Sequence, residues 1–328
     1  MACKLCLNCF HIKGDYIVCP HCGYIEGAPP KALFHLAPGT ILEKRYIIGE
    51  VLGYGGFGIT YRAYDIVLSI VVAIKEFYPA GLVSRAEGCT KVSVFSGSKT
   101  EEFNDMKNRF IEEAQNMALF AEEKDIVNVF AYFEANGTAY IIMEYIEGIL
   151  LKTYLQTNEK MDEDQACRYL DALLLAVRKI HEKGIVHKDI SADNIFLISS
   201  DQIKIFDFGA ARFQNSESDK KLAAVVKTGY APPEQYRSRG TLDYRTDIYA
   251  VGAVMYQMLT GEKPLESLER IENDRIQTIS QKGVKIRPAL EKVIMKALSL
   301  NPDDRYSSSE EFRQAVTESQ KKKGWKWW

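Results

Sequence analysis

Two carboxylates and one carboxamide occur close together in the stretch from His187 to Gly209. Asp189, Asn194 and Asp207 lie beside two short apolar runs, which are typical of buried strands. Carboxylate and amide oxygens suit Mg²⁺, which keeps several waters and binds few protein groups when it carries phosphate oxygens. The stretch therefore indicates chemistry on a magnesium-bound nucleotide.

The order of these residues resembles the catalytic loop and the metal-binding loop of protein kinases. His-Lys-Asp at 187–189 is followed by Asn194 at the family's spacing, and Asp-Phe-Gly follows at 207–209. The resemblance implies that Asp189 accepts or orients the proton of the attacking hydroxyl. It also implies that Asn194 and Asp207 hold Mg²⁺ or Mn²⁺ beside ATP.

A glycine-rich stretch at 53–58 extends the resemblance. It is followed by β-branched and aromatic residues, which favour a strand–turn–strand over the turn that opens a helix in dinucleotide-binding folds. The next predicted strand ends in Val-Ala-Ile-Lys at 72–75, so the resemblance implies that Lys75 contacts the α/β-phosphates. The residues expected at the nucleotide are Leu52, Gly53, Gly55, Gly56, Phe57, Gly58, Ala73, Lys75, Met143, Glu144, Ile146 and Leu197.

A predicted helix supplies the partner that the family gives to this lysine. Residues Glu101–Glu122 show helical periodicity, with Leu119 among the apolar positions. Glu113 best matches the family's glutamate, and Glu112 is the alternative, facing a direction about 100° away on the helix. The segment 78–99 is longer than a minimal connection and is expected to be a mobile insertion.

Later segments resemble the final strands of the family's small lobe, the hinge and the large lobe. By resemblance, the main chain of Glu144 and Ile146 holds adenine, and Met143 guards the back of the pocket. The segment after Gly209 resembles an activation segment that contains Ser216, Ser218 and Thr228. A helix predicted to start at Asp247 resembles the central helix that fixes the catalytic loop, and Arg305 is expected to pair with Glu234.

Two residues depart from the family pattern. Lys188 replaces the usual arginine, and lysine lacks the planar fork that binds a phosphorylated loop. This departure argues against control by phosphorylation of the activation segment. Ser191 replaces the lysine that usually reaches the γ-phosphate, so either slower turnover or a replacement by another cation is expected.

The predicted function is that of an ATP-dependent serine/threonine protein kinase. Thr228 before Gly229 favours this specificity, and the stretches at 55–61 and 229–236 resemble bacterial members that act in signalling. The alternative is a pseudokinase scaffold that binds nucleotide and recruits partners through its N-terminal segment. The retained residues Lys75, Asp189, Asn194 and Asp207 favour the enzyme.

That N-terminal segment contains two Cys-x-x-Cys turns, which resemble a short zinc ribbon. Cys6, Cys9, Cys19 and Cys22 are the expected ligands of a structural Zn²⁺. Cys3 could replace Cys9, and His11 or His21 could substitute for a thiol. Four protein ligands leave no open position, so a structural role or the docking of a protein partner is expected rather than catalysis.

Composition limits the classes of protein that fit. The 328 residues are 26% charged and 46% apolar, with a net charge of −2, as in soluble globular proteins. Two cations near the cysteine turns, Lys4 and Lys13, are too few for a nucleic-acid site. We find no signal peptide and no membrane-spanning run, and expect a cytoplasmic chain. Membrane association is expected only through the tail, if the chain continues past Trp328.

The predicted class is α+β, with a bilobal kinase-like fold. A small β-rich lobe with one helix is expected to precede a larger, mainly helical lobe. His35 lies in the predicted linker and is expected at the surface. The predicted domains are a zinc-ribbon-like segment at 1–25, a linker at 26–44, a kinase domain at 45–317 divided at about 145/146, and a basic Trp-rich tail at 318–328.

Overall fold

The computed structural model describes residues 4–95, 97, 99–208, 227–236 and 242–321, and the backbone of 212–213. These residues divide into two compact units. The first contains residues 4–123 and 127–146, and the second contains 124–126 and 147–321. The first unit is built on an antiparallel sheet with one helix, and the second is mainly helical, as the predicted α+β class requires.

The main sheet of the first unit carries the glycine-rich turn and Lys75. Its strands pair antiparallel in the order β1-β2-β3-β4-β8-β7. Every second residue of β3 is buried, the pattern of a strand with one face on the core. The strands of this unit are β1 (Ile41–Leu42), β2 (Tyr46–Gly55), β3 (Gly58–Asp65), β4 (Ile70–Phe77), β5 (Val83–Ser84), β6 (Ser93–Val94), β7 (Val129–Ala135) and β8 (Thr138–Glu144).

Helix α1 (Lys99–Ala118) is the helix predicted from the periodicity of residues 101–122. It ends four residues earlier than expected, because Phe120 and Glu123 donate to carbonyls three residues back and form turns. Leu119, predicted on the apolar side, lies beyond the helix end and is exposed. The buried face of α1 holds Phe103, Phe110, Glu113, Ala114 and Met117.

The insertion between β4 and α1 packs against the sheet of its unit. Strands β5 and β6 pair within it, and Leu82, Val83 and Val92 are buried. Its Arg85 forms a salt bridge with Glu76 in which both side chains are fully buried. The sequence shows the length of this insertion, but its pattern does not reveal the arginine that anchors it.

Part of the segment predicted as a linker also packs into the first unit. Leu36 and Leu42 are buried, and the Leu36 N–H donates to the hydroxyl of Tyr61 at 3.1 Å. The prediction that His35 lies at the surface is wrong, because its side chain is buried. Burial, together with the nearby charge of Arg85, lowers the pKa of His35.

The N-terminal cysteine segment rests directly on strand β2. The Glu50 N–H donates to the carbonyl of Asn8 at 3.1 Å, and the rings of Phe10 and Tyr64 lie 5.7 Å apart. Only glycine fits at position 49, since a Cβ there would lie 2.5 Å from the Asn8 carbonyl oxygen and 2.7 Å from the Phe10 ring. The cysteine segment and the sheet therefore share one packed contact.

The second unit packs its helices around α4, most of whose residues are buried. Two short strands, β11 and β12, are the strands predicted from the apolar runs after Asn194, and they pair as an antiparallel hairpin. The elements are β9 (Ile149–Leu150), α2 (Leu151–Asn158), α3 (Glu163–Glu182), β10 (Ile185–Val186), β11 (Ile195–Leu197), β12 (Ile203–Ile205), β13 (Arg212–Phe213), α4 (Tyr244–Thr260), α5 (Ser267–Glu272), α6 (Pro288–Ala297) and α7 (Ser309–Gln320).

The starts of α3 and α4 differ in how well the sequence predicted them. Asp162 followed by Gln165 in the sequence predicts a helix start, and in the structure the Asp162 carboxylate caps α3 by accepting from the Gln165 N–H at 2.8 Å. Helix α4 starts at Tyr244, three residues before the predicted Asp247, because Asp243 provides the cap. None of the helices in the described ranges is both long and apolar enough to cross a bilayer.

Candidate active site and metal centre

Lys75 and Glu113 form an ion pair in the first unit. The Lys75 Nζ lies 2.7 Å from Glu113 Oε1, and the Glu113 side chain is buried. Strand β4 supplies the lysine and helix α1 supplies the glutamate. Glu112, the alternative partner, is exposed on the same helix. The geometry therefore selects Glu113 as the partner of Lys75.

The glycine-rich stretch forms the predicted strand–turn–strand. Gly55 and Gly58 pair across the turn between β2 and β3. Leu52 and Phe57 are exposed, and a Cβ added at Gly53, Gly55 or Gly56 would meet open space. The three glycines thus leave their backbone uncovered by side chains of their own, as a phosphate-binding loop requires.

Residues outside the predicted site hold this turn in place. The carbonyls of Gly56 and Phe57 accept from the N–H groups of Ala80 and Tyr78, at 3.0 and 3.1 Å. The Phe34 ring lies 5.1 Å from the Tyr54 ring and 5.5 Å from the Tyr78 ring. The insertion and the segment before β1 thus support the glycine-rich turn. Local sequence patterns do not reveal these supporting contacts.

Two of the residues expected around adenine, Ala73 and Met143, lie on neighbouring strands of the first unit. Ala73 of β4 is paired with Met143 of β8, and both side chains are buried. Glu144 ends β8, where its N–H donates to the Asn128 carbonyl at 2.9 Å and its carboxylate accepts from the Asn128 N–H at 2.8 Å. Ile146 is half-buried at the end of the first unit. Leu197 lies buried in β11 of the second unit.

In the second unit, Asn194 is bonded to Asp189. The Asn194 Nδ2 donates to the Asp189 carbonyl at 2.9 Å and to its Oδ2 at 2.8 Å. A short 3₁₀ turn at Ala192–Asn194 brings the two residues together. Because the amide nitrogen is directed at Asp189, the oxygen Oδ1 of Asn194 is left as an acceptor that could bind a cation.

Asp247 holds the backbone of the loop that follows β10. Its carboxylate is fully buried and accepts from the backbone N–H groups of His187 and Lys188, both at 2.8 Å. The His181 Nε2 lies 2.8 Å from the same carboxylate. Burial raises the pKa of Asp247, but these hydrogen bonds and the two histidines outweigh burial and keep the pKa below its usual range. His181, near the end of α3, thus has a structural contact.

Two residues of the candidate site, on different loops, have unusual backbone geometry. Lys188 has φ of 65° and Asp207 has φ of 67°, the left-handed region that costs energy for residues other than glycine. Strain of this kind persists where the surrounding structure fixes the conformation, and it is concentrated at functional sites. His187 is fully buried with its ring 4.7 Å from the Phe208 ring, and burial lowers its pKa to about 4.

Opposing effects act on the pKa of Asp189. Burial of its carboxyl raises the pKa to about 6, and Asp207 adds to this, whereas Lys227 and Asn194 oppose it. The Lys227 Nζ lies 3.0 Å from Asp189 Oδ2 and donates to the Ser191 Oγ at 3.0 Å. Lys227 was missed by sequence reasoning, although the missing lysine at position 191 was a signal that another cation should be sought.

Glu234 and Arg305 form the buried pair predicted from the sequence. The Arg305 guanidinium makes two bonds to the Glu234 carboxylate, at 2.6 and 3.0 Å. Thr228 is exposed among the described residues. Ser216 and Ser218 lie outside the described residues.

Comparison of the chain with models of known protein families agrees with these features. The Protein kinase domain model matches residues 46–318. The chain belongs to the protein kinase family.

Relatives in bacteria extend this result. The chain is 34% identical over 285 residues to serine/threonine-protein kinase PknB of Mycobacterium leprae (strain TN), covering 83% of this chain and 42% of the relative. It is 31% identical over 280 residues to serine/threonine-protein kinase PrkC of Bacillus subtilis (strain 168), covering 83% and 40%. This kinase-family chain thus spans about two fifths of the length of these curated relatives.

A solved structure shares the fold. The structure described as "PpkA-294 apo form" is 33% identical and superimposes with a TM-score of 0.76. The match covers 86% of this kinase-family chain and 99% of the other chain. The predicted kinase fold is therefore confirmed.

The cysteine segment precedes the kinase-matched residues and contains a separate candidate metal site. The Sγ atoms of Cys6, Cys9, Cys19 and Cys22 all lie within 4.8 Å of one another. The Cys6–Cys22 and Cys9–Cys19 sulfurs are each 3.7 Å apart. A tetrahedron with metal–sulfur bonds of about 2.3 Å has edges of about 3.8 Å, so these four thiols fit Zn²⁺.

Two equivalent turns build this centre. The Phe10 N–H donates to the Cys6 carbonyl and the Gly23 N–H to the Cys19 carbonyl, each at 2.9 Å. His11 and His21 are exposed and stack on each other at 4.7 Å, and among the described residues the cluster contains four cysteines and no histidine. The proposed histidine substitution is therefore not supported, and Cys3 lies outside the described residues.

Proposed function

We propose that this chain is an ATP-dependent serine/threonine protein kinase that acts on protein hydroxyls in bacterial signalling. The observation that carries the proposal is the hydrogen-bonded arrangement of Asp189 and Asn194 on a loop fixed by the buried Asp247. Supporting it, Lys75 and Glu113 are already paired in the other unit. The chain thus retains the charged groups that phosphoryl transfer needs.

The reaction follows from the roles of these groups. The oxygen of a serine or threonine hydroxyl forms a bond to the γ-phosphorus of ATP, and the bond from that phosphorus to the β,γ-bridging oxygen breaks. The bridging oxygen keeps the electron pair and leaves on ADP. The hydroxyl proton passes to the Asp189 carboxylate. Lys75, oriented by Glu113, binds nucleotide phosphates and exchanges no proton.

Magnesium fits the oxygen donors of the second unit. The Asn194 Oδ1 and the Asp207 carboxylate are the hard ligands that Mg²⁺ or Mn²⁺ prefers, and these two residues would hold it. When bound, such an ion neutralises phosphate charge. The left-handed backbone of Asp207 is consistent with a side chain fixed for this purpose.

The first experiment compares wild type with Asp207→Ala in phosphotransfer from labelled ATP with Mg²⁺. We expect label on a protein substrate or on the kinase itself with wild type, and loss of nearly all label with the variant. Lys282→Ala serves as a control, since this lysine makes a partly exposed ion pair with Glu262 in the same unit. Equal labelling by wild type and Asp207→Ala would overturn the proposal.

A nucleotide-binding scaffold is the competing function. The replacements at Lys188 and Ser191 are the observations that favour it. Under that function, wild type would bind ATP in calorimetry yet transfer no phosphate to any of a panel of basic and acidic protein substrates. Phosphotransfer by wild type, compared with Asp207→Ala, therefore distinguishes an enzyme from a scaffold.

We further propose that the four cysteines bind one structural Zn²⁺ and that the segment docks a protein partner. The sulfur spacing supports the metal, and metal binding would contribute most of the folding energy of so small a segment. Metal analysis of the purified chain should give about one zinc per chain. Cys19→Ser should lower this content strongly, whereas the exposed Cys89→Ser should not. The cytoplasmic location stays a prediction.

A further inference from the structure

We propose that Lys227 supplies, at the γ-phosphate, the positive charge that the catalytic loop lacks at Ser191. This inference rests on the proposed function and assigns a catalytic residue to it. Lys227 is separated from Ser191 by 36 positions in the sequence, so the charge comes from a different segment of the chain.

The contacts of Lys227 place its ammonium beside the group that receives the proton. Its Nζ lies 3.0 Å from Asp189 Oδ2 and 3.0 Å from the Ser191 Oγ. Ser191 is fully buried, so its hydroxyl provides a fixed acceptor below the ammonium. A lysine side chain extending from position 191 would bring a second cation to the place that Lys227 now fills.

The ammonium can serve a further acceptor. An ammonium has three donor hydrogens, and within the described residues two oxygens account for two of them. The Lys227 side chain is 28% exposed, so a phosphate oxygen can approach it. Developing charge on a transferring phosphoryl group is stabilised by a fixed cation of this kind.

The backbone around Lys227 is held in place, which a catalytic cation requires. The Lys227 carbonyl accepts from the N–H groups of Tyr230 and Ala231, at 3.1 and 3.3 Å. The Gly229 N–H donates to the Glu266 carboxylate at 2.7 Å. Gly229 has φ of 87°, and a Cβ there would lie 3.0 Å from the Lys263 Cβ, so glycine is required in this turn.

In the proposed transfer, Lys227 forms and breaks no covalent bond. The substrate oxygen bonds to the γ-phosphorus, ADP leaves with the electron pair of the broken bond, and Asp189 takes the hydroxyl proton. Lys227 keeps its proton and shifts part of its hydrogen bonding from Asp189 to the phosphoryl oxygens. Its charge also favours the ionised Asp189 before the transfer.

The decisive experiment moves the charge between the two positions. Lys227→Ala should lower kcat about 100-fold and raise the KM for ATP about tenfold. The double variant Ser191→Lys/Lys227→Ala should recover kcat to within about tenfold of wild type, because the cation returns beside Asp189. Lys282→Ala controls for the loss of a lysine elsewhere in the unit.

Folding is checked by thermal melting of each variant. If Lys227→Ala retains at least half of the wild-type kcat while Asp207→Ala is inactive, the inference is wrong and the proposed kinase function stands. The inference is also overturned if the double variant melts like wild type yet is no more active than Lys227→Ala.

Binding separates this inference from the proposed function. Lys227→Ala should weaken a non-hydrolysable ATP analogue with Mg²⁺ by about tenfold or more and leave ADP binding unchanged, since ADP lacks the γ-phosphate. This binding measurement tests the inference even if the wild-type protein transfers no phosphate. An equal loss of affinity for both nucleotides, or no loss of affinity for either, would contradict a contact at the γ-phosphate.

Discussion

Arg85 and Glu76 pair in the first unit with neither side chain exposed to solvent. The hydroxyls of Tyr61 and Tyr140 donate to the same carboxylate, at 3.0 and 2.8 Å. Arg85 also donates to the Phe34 carbonyl at 2.7 Å. One buried network therefore joins the segment before β1, the main sheet and the insertion after β4.

Arg85→Ala should destabilise the first unit by about 3–5 kcal/mol, because it leaves the Glu76 charge buried without its partner. Urea unfolding followed by circular dichroism would measure this loss. Glu134→Ala breaks the more exposed pair with Lys107 in the same unit and should cost about 0–1 kcal/mol. Similar losses in the two variants would contradict the role given to the buried network.

Glu113→Gln should lower kcat/KM for phosphotransfer about 100-fold, because Lys75 loses the charge that orients it. Glu112→Gln is the matched control, since Glu112 is adjacent on α1 but exposed. We expect it to change the rate less than about threefold. Steady-state kinetics at saturating Mg²⁺ would compare them, and a larger loss in Glu112→Gln would reverse the assignment.

The pH dependence of kcat/KM should report Asp189. Its pKa is raised to about 6, and the protonated carboxyl cannot accept the substrate proton, so activity should rise as pH increases through 6. Removing Lys227 removes a charge that lowers this pKa, so the midpoint in Lys227→Ala should lie at higher pH. A wild-type midpoint near the ordinary aspartate value would show that another group controls the profile.

Gly49→Ala should destabilise the first unit by about 1–3 kcal/mol, since the new Cβ would overlap the Asn8 carbonyl and the Phe10 ring. Gly53→Ala lies on the same strand and meets open space, so its stability should stay within about 1 kcal/mol of wild type. Chemical denaturation of the zinc-loaded chain would test both. Equal stability of the two variants would mean that the cysteine segment does not pack on β2 in solution.

The sequence predicts the elements whose signals are local. The capping of α3 by Asp162 and the two strands after Asn194 are both confirmed. These features depend on neighbouring residues, so periodicity and capping rules are sufficient. The spacing within the two Cys-x-x-Cys turns likewise predicted four thiols that the structure brings together.

Contacts between distant segments are the part that the sequence does not reveal. His35 was expected at the surface, yet Arg85 and the glycine-rich turn bury the segment that carries it. Lys227 reaches Asp189 only because the chain folds back over 36 positions to Ser191. No local pattern encodes such a contact, so motif matching finds the missing lysine but not its replacement.

The contact between Lys227 and Ser191 has an evolutionary consequence. If one lysine were lost before the other was gained, the intermediate protein would be poorly active. If the second lysine were gained first, two like charges would lie close together beside Asp189. Positions 191 and 227 should therefore change together in related sequences, with lysine at one or the other. Descent within this branch of the family could be traced by which of the two codons carries the charge.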